Sequence, residues 1–185
     1  NIVRFMFDNI GNPTSAKKIS DTMTSKGNKI SNHTVENYLD SLCKSFILYK
    51  ANRYDVKGKQ YLETNGKYYL VDIGLRYFLL GTKYVDFGHI LENIVFLELL
   101  RRGYEVYIGK VNSSEVDFVA IKQNEKIYIQ VSDNISDEKT FEREYSPLLA
   151  IKDAYPKMII ARTHHEAYDY QGIQILDLPQ WLLKE

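Results

Sequence analysis

Cysteine is almost missing from this sequence, and so are long apolar runs, a phosphate-cradling glycine motif and any net charge. The single Cys43 excludes an intramolecular disulfide and a cysteine-based zinc site of ordinary ligand number. Lying among apolar residues of an expected helix, it reads as core filling. No apolar stretch reaches the roughly 20 residues that a bilayer crossing needs, and the first residues lack the order of a signal peptide. The expectation is a cytoplasmic protein with no membrane partner. No Gly-x-x-x-x-Gly-Lys-Ser/Thr occurs, which excludes P-loop ATP hydrolysis within this stretch. His164 and His165 are adjacent rather than one helical turn apart, so they make no helical metal-ligand pair.

What is present is enough apolar material, 44% of 185 residues, to pack one ordinary domain or two small ones. The zero net charge hides a division. Residues 1–71 carry 11 Lys+Arg against 6 Asp+Glu, and residues 72–185 carry 13 against 18. A basic first part can approach phosphates and release their counterions. The first residue is Asn1 rather than Met, and the expectation is a fragment or a processed form of a longer protein.

In the first part, Thr14-Ser15 caps a helix whose inward residues are Ala16, Ile19 and Met23. Ser31-Asn32 caps a second helix that is expected to bury Val35, Tyr38, Leu39, Leu42 and Phe46. Phe46–Tyr49, a polar turn with Lys57-Gly58-Lys59, and Lys67–Val71 read as a strand, a loop and a returning strand. With a preceding helix over Ile2–Phe7, the order helix, helix, hairpin is that of a winged helix. In such a module the second helix can enter a major groove while the hairpin tip meets phosphates. The candidate nucleic-acid contacts are therefore Lys57 and Lys59 at the tip and Lys44 on the helix. That helix also exposes His33, Thr34, Glu36, Asn37, Asp40 and Ser41; its two carboxylates repel phosphates and argue against sequence-specific reading. Asp72–Gly81 is a connecting helix ended by glycine. The domains expected are 1–81 and 82–185, with the boundary over 82–87.

The second part opens with a helix over His89–Arg102, apolar almost all round. Glu92 on it faces Val95, Phe96 and Leu99, where an unpaired charge is costly; the helix N-terminus or a role in a site would each account for it. Strands follow over Tyr104–Lys110, Glu115–Ile121 and Lys126–Ser132. Period two puts Glu115 with Asp117 on one face and Gln130 with Ser132 on one face of the next strand. Helical segments over Glu138–Tyr145 and Leu148–Ala154 flank Pro147. A buried strand over Lys157–Arg162, a last strand over Gly172–Leu176 and a closing helix with Trp181 complete the expected α/β domain.

Glu92, Asp117 and Gln130-Val131-Ser132 fall in the order of a helical Glu, a strand Asp and a (D/E)-x-K, and in this the second part resembles the PD-(D/E)XK nuclease-like superfamily. The stretches Val71–Arg76, Gly88–Asn93, Glu115–Val119 and Glu142-Arg143-Glu144 make the whole chain similar to the C-terminal region of unknown function of archaeal and bacterial AAA-type ATPases, a winged helix followed by a nuclease-like mixed-sheet domain, α+β overall. The resemblance implies an ATPase domain upstream, where any ATP would be used. It also implies catalytic positions at Glu92, Asp117, Gln130 and Ser132, with any Mg²⁺ held by Glu92 and Asp117. This chain departs from the pattern at two of these. Gln130 is a neutral oxygen ligand, and Ser132 supplies no positive charge. Glu115 as ligand, or Lys139 or Arg143 as cation, would be the rescuing groups. Three functions follow: an appendage binding nucleic acid or a protein partner with an eroded site, an active Mg²⁺-dependent nuclease with a rearranged site, or a structural assembly domain.

Overall fold

The computed structural model of the chain describes residues 1–82 and 86–184, and for 63–65 the backbone alone. Residues 83–85 of the expected boundary over 82–87 lie outside the described residues. Among them are seven helices and eight strands in a mixed α/β arrangement. The chain divides into two compact units, one of Asn1–Asn52 with Glu63–Asn93 and one of Arg53–Leu62 with Ile94–Glu185.

The first unit contains α1 (Ile2–Asp8), α2 (Ala16–Ser25), α3 (Asn32–Lys44), the proximal parts of the hairpin β1 (Leu48–Asp55) and β2 (Gln60–Leu70), and α4 (Ile73–Leu80). The helices begin where side chains can take up orphan amides. Ser15 Oγ accepts from Lys18 N, Ser31 Oγ from Thr34 N, and Asp72 from Gly74 N. Gly81, at φ 78°, ends α4 in a conformation that a side chain resists. Met6, Phe7, Ile19, Val35, Leu39, Leu48 and Leu70 close a core, with Cys43 packed against it half-buried.

Two residues expected in that core are outside it. Tyr38 is 53% exposed and Phe46 68%. The inward stripe of α3 runs through Val35, Leu39 and Leu42, and Tyr38 lies one residue, about 100° of helix, off Leu39. Phe46 follows the end of α3 and takes a left-handed φ of 55°, so the helical spacing that would carry it inward no longer applies.

The second unit is built on a sheet of strand order β2-β1-β3-β4-β5-β6-β8-β7, which the distal ends of the hairpin enter. β3 (Glu105–Val111), β4 (Ser114–Lys122) and β5 (Glu125–Ser132) run antiparallel in sequence; β6 (Lys157–Ala161) and β8 (Ile173–Asp177) continue parallel to β5. β7 (Tyr168–Tyr170) closes the edge. Arg53–Asp55 of β1 pairs parallel with Ile108–Lys110 of β3. Ile159, Ile173 and Ile175 pack with Val116, Val119 and Tyr128 under Leu148 of α6 (Glu138–Leu149). These apolar runs suit parallel strands covered by protein.

The expected helix over Leu148–Ala154 is absent. α6 instead runs through Pro147 and stops at Leu149. Ile151 turns into the core, and Asp153 accepts from Tyr155 N and from the Tyr128 hydroxyl, contacts that replace a second helix.

The helix α5 (Phe87–Arg101) spans the division between units. Within the second unit its C-terminal turn is tied to α7 (Leu178–Leu183). Arg102 donates to the carbonyls of Trp181 and Lys184, stacks 4.3 Å over the Trp181 ring, and with Arg101 holds Glu98. Hydrogen bonds from Arg101, then from Arg102, bring the Glu98 carboxyl down to about 2. A carboxylate lowered in the folded state stabilises above its unfolded value near 4.3 and loses that contribution as pH falls toward 2. Glu98→Gln should therefore cost roughly 1–2 kcal/mol at pH 7 and little at pH 2, read by urea denaturation at the two pH values.

Candidate functional site

Two buried polar clusters occupy the positions singled out in the sequence, one in each unit. The second unit holds the strand residues. Phe118 of β4 lies opposite Ile129 of β5, which puts Asp117 and Gln130 on neighbouring strands. Alternation turns Gln130 and Ser132 the same way, each 6% exposed. The Gln130 amide is used at both ends: Oε1 accepts from Asp117 N at 2.6 Å, and Nε2 donates to Glu144 Oε2 at 2.9 Å. Glu144, on α6 and also buried, takes Arg143 through its other oxygen at 2.7 Å. Asp117 Oδ2 accepts from Val131 N at 2.9 Å. Ser132 Oγ donates to the Asn134 carbonyl at 3.3 Å. Glu144 above all, with Asp117 behind it, keeps the Arg143 guanidinium charged even more firmly than usual.

This arrangement does not fit a Mg²⁺ site. A hard cation needs several carboxylate or carbonyl oxygens aimed at one point. Here the Gln130 oxygen faces an amide, and both oxygens of Glu144 face donors. Among the described residues no group of three or more His, Cys, Asp or Glu side chains could hold a metal ion. Of the rescuing groups, Glu115 accepts from Arg53 at 2.8 Å, Lys139 is exposed, and Arg143 is drawn to Glu144.

Glu92 belongs to the first unit, so the set implied by the resemblance is drawn from both units. Its Oε1 accepts from Lys67 Nζ at 2.9 Å and from the Tyr69 hydroxyl at 2.5 Å. The lysine is 4% exposed, the glutamate 6% and the tyrosine not at all. Next to it, Asn93 gives its oxygen to Leu70 N and its amide to the Leu70 carbonyl, in the manner of a neighbouring strand. Gly11, at φ 72°, lets the chain pass where a Cβ would stand 2.6 Å from His89 Cδ2. Glu92 and Asn93 thus link α5 to β2 within the first unit. Sequence reasoning missed Lys67 as the partner of Glu92; the available signal was a lysine on the same strand face as Tyr69, inside an otherwise apolar run.

The three candidate phosphate contacts have different fates. Lys44 pairs with Asp40 at 3.3 Å on the open face of α3. Lys57 and Lys59 are exposed in the β1–β2 turn, which Asp55 shapes by accepting from Lys57 N and Gly58 N. That turn is part of the second unit. Counted by compact unit, the first carries 10 Lys+Arg against 8 Asp+Glu and the second 14 against 16. The charge contrast of the cut after Val71 shrinks accordingly.

Comparison with known proteins places a domain of unknown function, DUF8612, over residues 1–86 and another, DUF4143, over residues 87–181. An uncharacterized protein of Haemophilus influenzae is 45% identical over 183 residues, which is 99% of this chain and 45% of that protein. An uncharacterized protein of Methanocaldococcus jannaschii is 33% identical over 147 residues, 77% of this chain and 32% of that one. The chain spans less than half the length of these curated relatives. No solved structure matches it.

Because Gln130 joins two carboxylate-bearing elements through a neutral amide, Gln130→Glu would set one carboxylate against Glu144. It should lower stability at pH 7 by roughly 2–4 kcal/mol and recover as pH falls toward 4, where one of the pair protonates. Denaturant titrations at pH 7 and pH 4 measure this.

Proposed function

The chain belongs to the DUF4143 family over residues 87–181, and on that premise we propose that it is the C-terminal appendage of a AAA-type ATPase, binding nucleic acid without cutting it. Its first module is a winged helix, its second a nuclease-like domain with an eroded site. The observation that carries the reading is Gln130. Where the resemblance calls for an acidic metal ligand, a buried amide spans from the Asp117 backbone to Glu144. Metal-dependent phosphodiester cleavage needs carboxylates that concentrate a cation and a positive group that helps place water. Gln130 gives up the first, and Ser132, bonded to the Asn134 carbonyl, cannot give the second.

Binding draws on other features. The order α1, α2, α3 and hairpin supports a winged-helix reading, and the exposed Lys57 and Lys59 suit phosphate contact at the hairpin tip. The exposed Glu36 and Asp40 on α3 disfavour base reading by that helix. The ATPase would lie elsewhere in the whole protein, for which the length of the relatives leaves room.

The test is an anisotropy titration of labelled duplex against the 185-residue chain at rising salt, with Mg²⁺ and Mn²⁺ cleavage assays in parallel. Binding should be weak and salt-sensitive. Lys57→Ala with Lys59→Ala should lower the affinity and reduce the slope of log affinity against log salt by up to about 2. No cleavage is expected. Divalent-dependent cutting that vanishes in Asp117→Ala would overturn the proposal, and so would failure to bind nucleic acid at low salt.

A further inference from the structure

Beside the Lys57–Lys59 turn lies a cluster of aromatic rings that plays no part in either buried polar cluster. Tyr61 of β2, Tyr54 of β1 and Tyr107 of β3 stand on three adjacent strands of the second unit. Ring centroids are 5.4 Å apart for Tyr54 and Tyr61, and 4.9 Å for Tyr61 and Tyr107. Lys126 of β5 extends the row. Its Nζ lies 5.0 Å from the Tyr54 ring and 5.0 Å from the Tyr155 ring, and donates to the Tyr54 hydroxyl at 3.2 Å. Tyr54 is buried and serves as the floor. Tyr61 and Tyr155 are not: 60% of the first and 42% of the second face solvent.

Tyr61 on β2 and Tyr155 in the loop before β6 thus offer flat, amphipathic ring faces to solvent on either side of the buried Tyr54 and Lys126. The carboxylates nearby are already engaged. Asp55 holds the turn amides, Glu105 accepts from the Tyr107 hydroxyl, and Asp153 accepts from the Tyr128 hydroxyl beside Lys157. The described contacts of Lys126 are rings and a phenol, so its cation stays available at close range. Aromatic faces flanked by lysines match a chain that alternates flat bases with phosphates. A base can lie on such a ring only when it is not paired and stacked inside a duplex.

We infer that this surface is a stacking platform for single-stranded nucleic acid, with bases on Tyr61 and Tyr155 and phosphates toward Lys57, Lys59 and Lys126. The inference rests on the nucleic-acid reading above and gives it a substrate class.

The test uses the 185-residue chain and three labelled 12-mers in anisotropy titrations: an oligo-dT strand, an abasic strand of equal charge, and a duplex. Oligo-dT should bind more tightly than the abasic strand. Tyr61→Ala should weaken oligo-dT binding roughly tenfold and leave abasic-strand and duplex binding within twofold, whereas Tyr61→Phe should keep oligo-dT binding within twofold. Tyr155→Ala should act in the same direction as Tyr61→Ala. Circular dichroism confirms that each variant is folded. Equal affinity for oligo-dT and abasic strands, or indifference of oligo-dT binding to both alanine variants, overturns the platform. If duplex binding meanwhile remains salt-sensitive and dependent on Lys57 and Lys59, only the platform falls. If nothing binds at low salt, the underlying reading falls with it.

Discussion

A single buried amide, that of Gln130, joins a strand to a helix in the second unit. A side-chain amide taken out of water must satisfy its oxygen and its nitrogen, or the desolvation cost stays uncompensated. Gln130 meets both demands by reaching a strand on one side and a helix on the other. That ties α6 to the β4–β5 pair, beside the apolar packing of Leu148 against the same sheet. Glu144 then needs a second donor, and Arg143 provides it. An amide oxygen already held by a backbone N–H is a poor metal ligand, since turning it toward a cation would break that hydrogen bond.

The first unit solves the same problem with charges. Lys67 and Glu92 are both nearly dry, and removing two ions from water costs several kcal/mol each unless geometry repays it. The Tyr69 hydroxyl adds a third polar group to the same carboxylate oxygen. Replacing one partner would leave the other as a buried unpaired ion, a far larger loss than the net worth of the pair. Asn93 extends the arrangement by binding both the N–H and the carbonyl of Leu70. The polar residues of this stretch therefore fix where the end of β2 meets α5.

Local signals made much of the fold legible. Ser15, Ser31 and Asp72 cap helices because short polar side chains reach orphan amides, and Gly81 ends one because it tolerates φ 78°. The β4–β5 pair follows from alternation and a short polar turn. What was illegible depends on distant partners or on single dihedral angles. Nothing near Lys67 in sequence names Glu92, 25 residues away. Helical periodicity carried Phe46 inward because it could not register the reversal just after α3. Pro147 suggested a break between two helices, yet α6 absorbs it in its last turn. The three-residue β7 is too short for alternation to be visible. The site was legible as a set of neighbours on two strands; that Gln130 would bridge to Glu144 was not, since the contact depends on how α6 lies over the sheet. The 15 tyrosines were visible as a count, but only strand order brings Tyr54, Tyr61 and Tyr107 together.

Charge accounting by compact unit also changes what kind of binding is physically reasonable. Cut by sequence, the first part looks strongly basic, a body whose field would draw in phosphates from a distance. Folding assigns Arg53, Lys57 and Lys59 to the other unit, and each unit is left within two charges of neutral. Long-range steering scales with such net fields and is screened over about 10 Å at ordinary salt, so little of it remains. Affinity for a polyanion would have to arise from contacts at close range, where the local density of lysines counts and the total does not. Stacking is short-ranged and nearly independent of salt, and it adds to a few phosphate contacts without requiring a basic surface. On the nucleic-acid reading proposed above, tyrosines beside a lysine-bearing turn on so weakly charged a chain would favour flexible strands, whose bases can turn toward the protein, over the uniform backbone of a duplex.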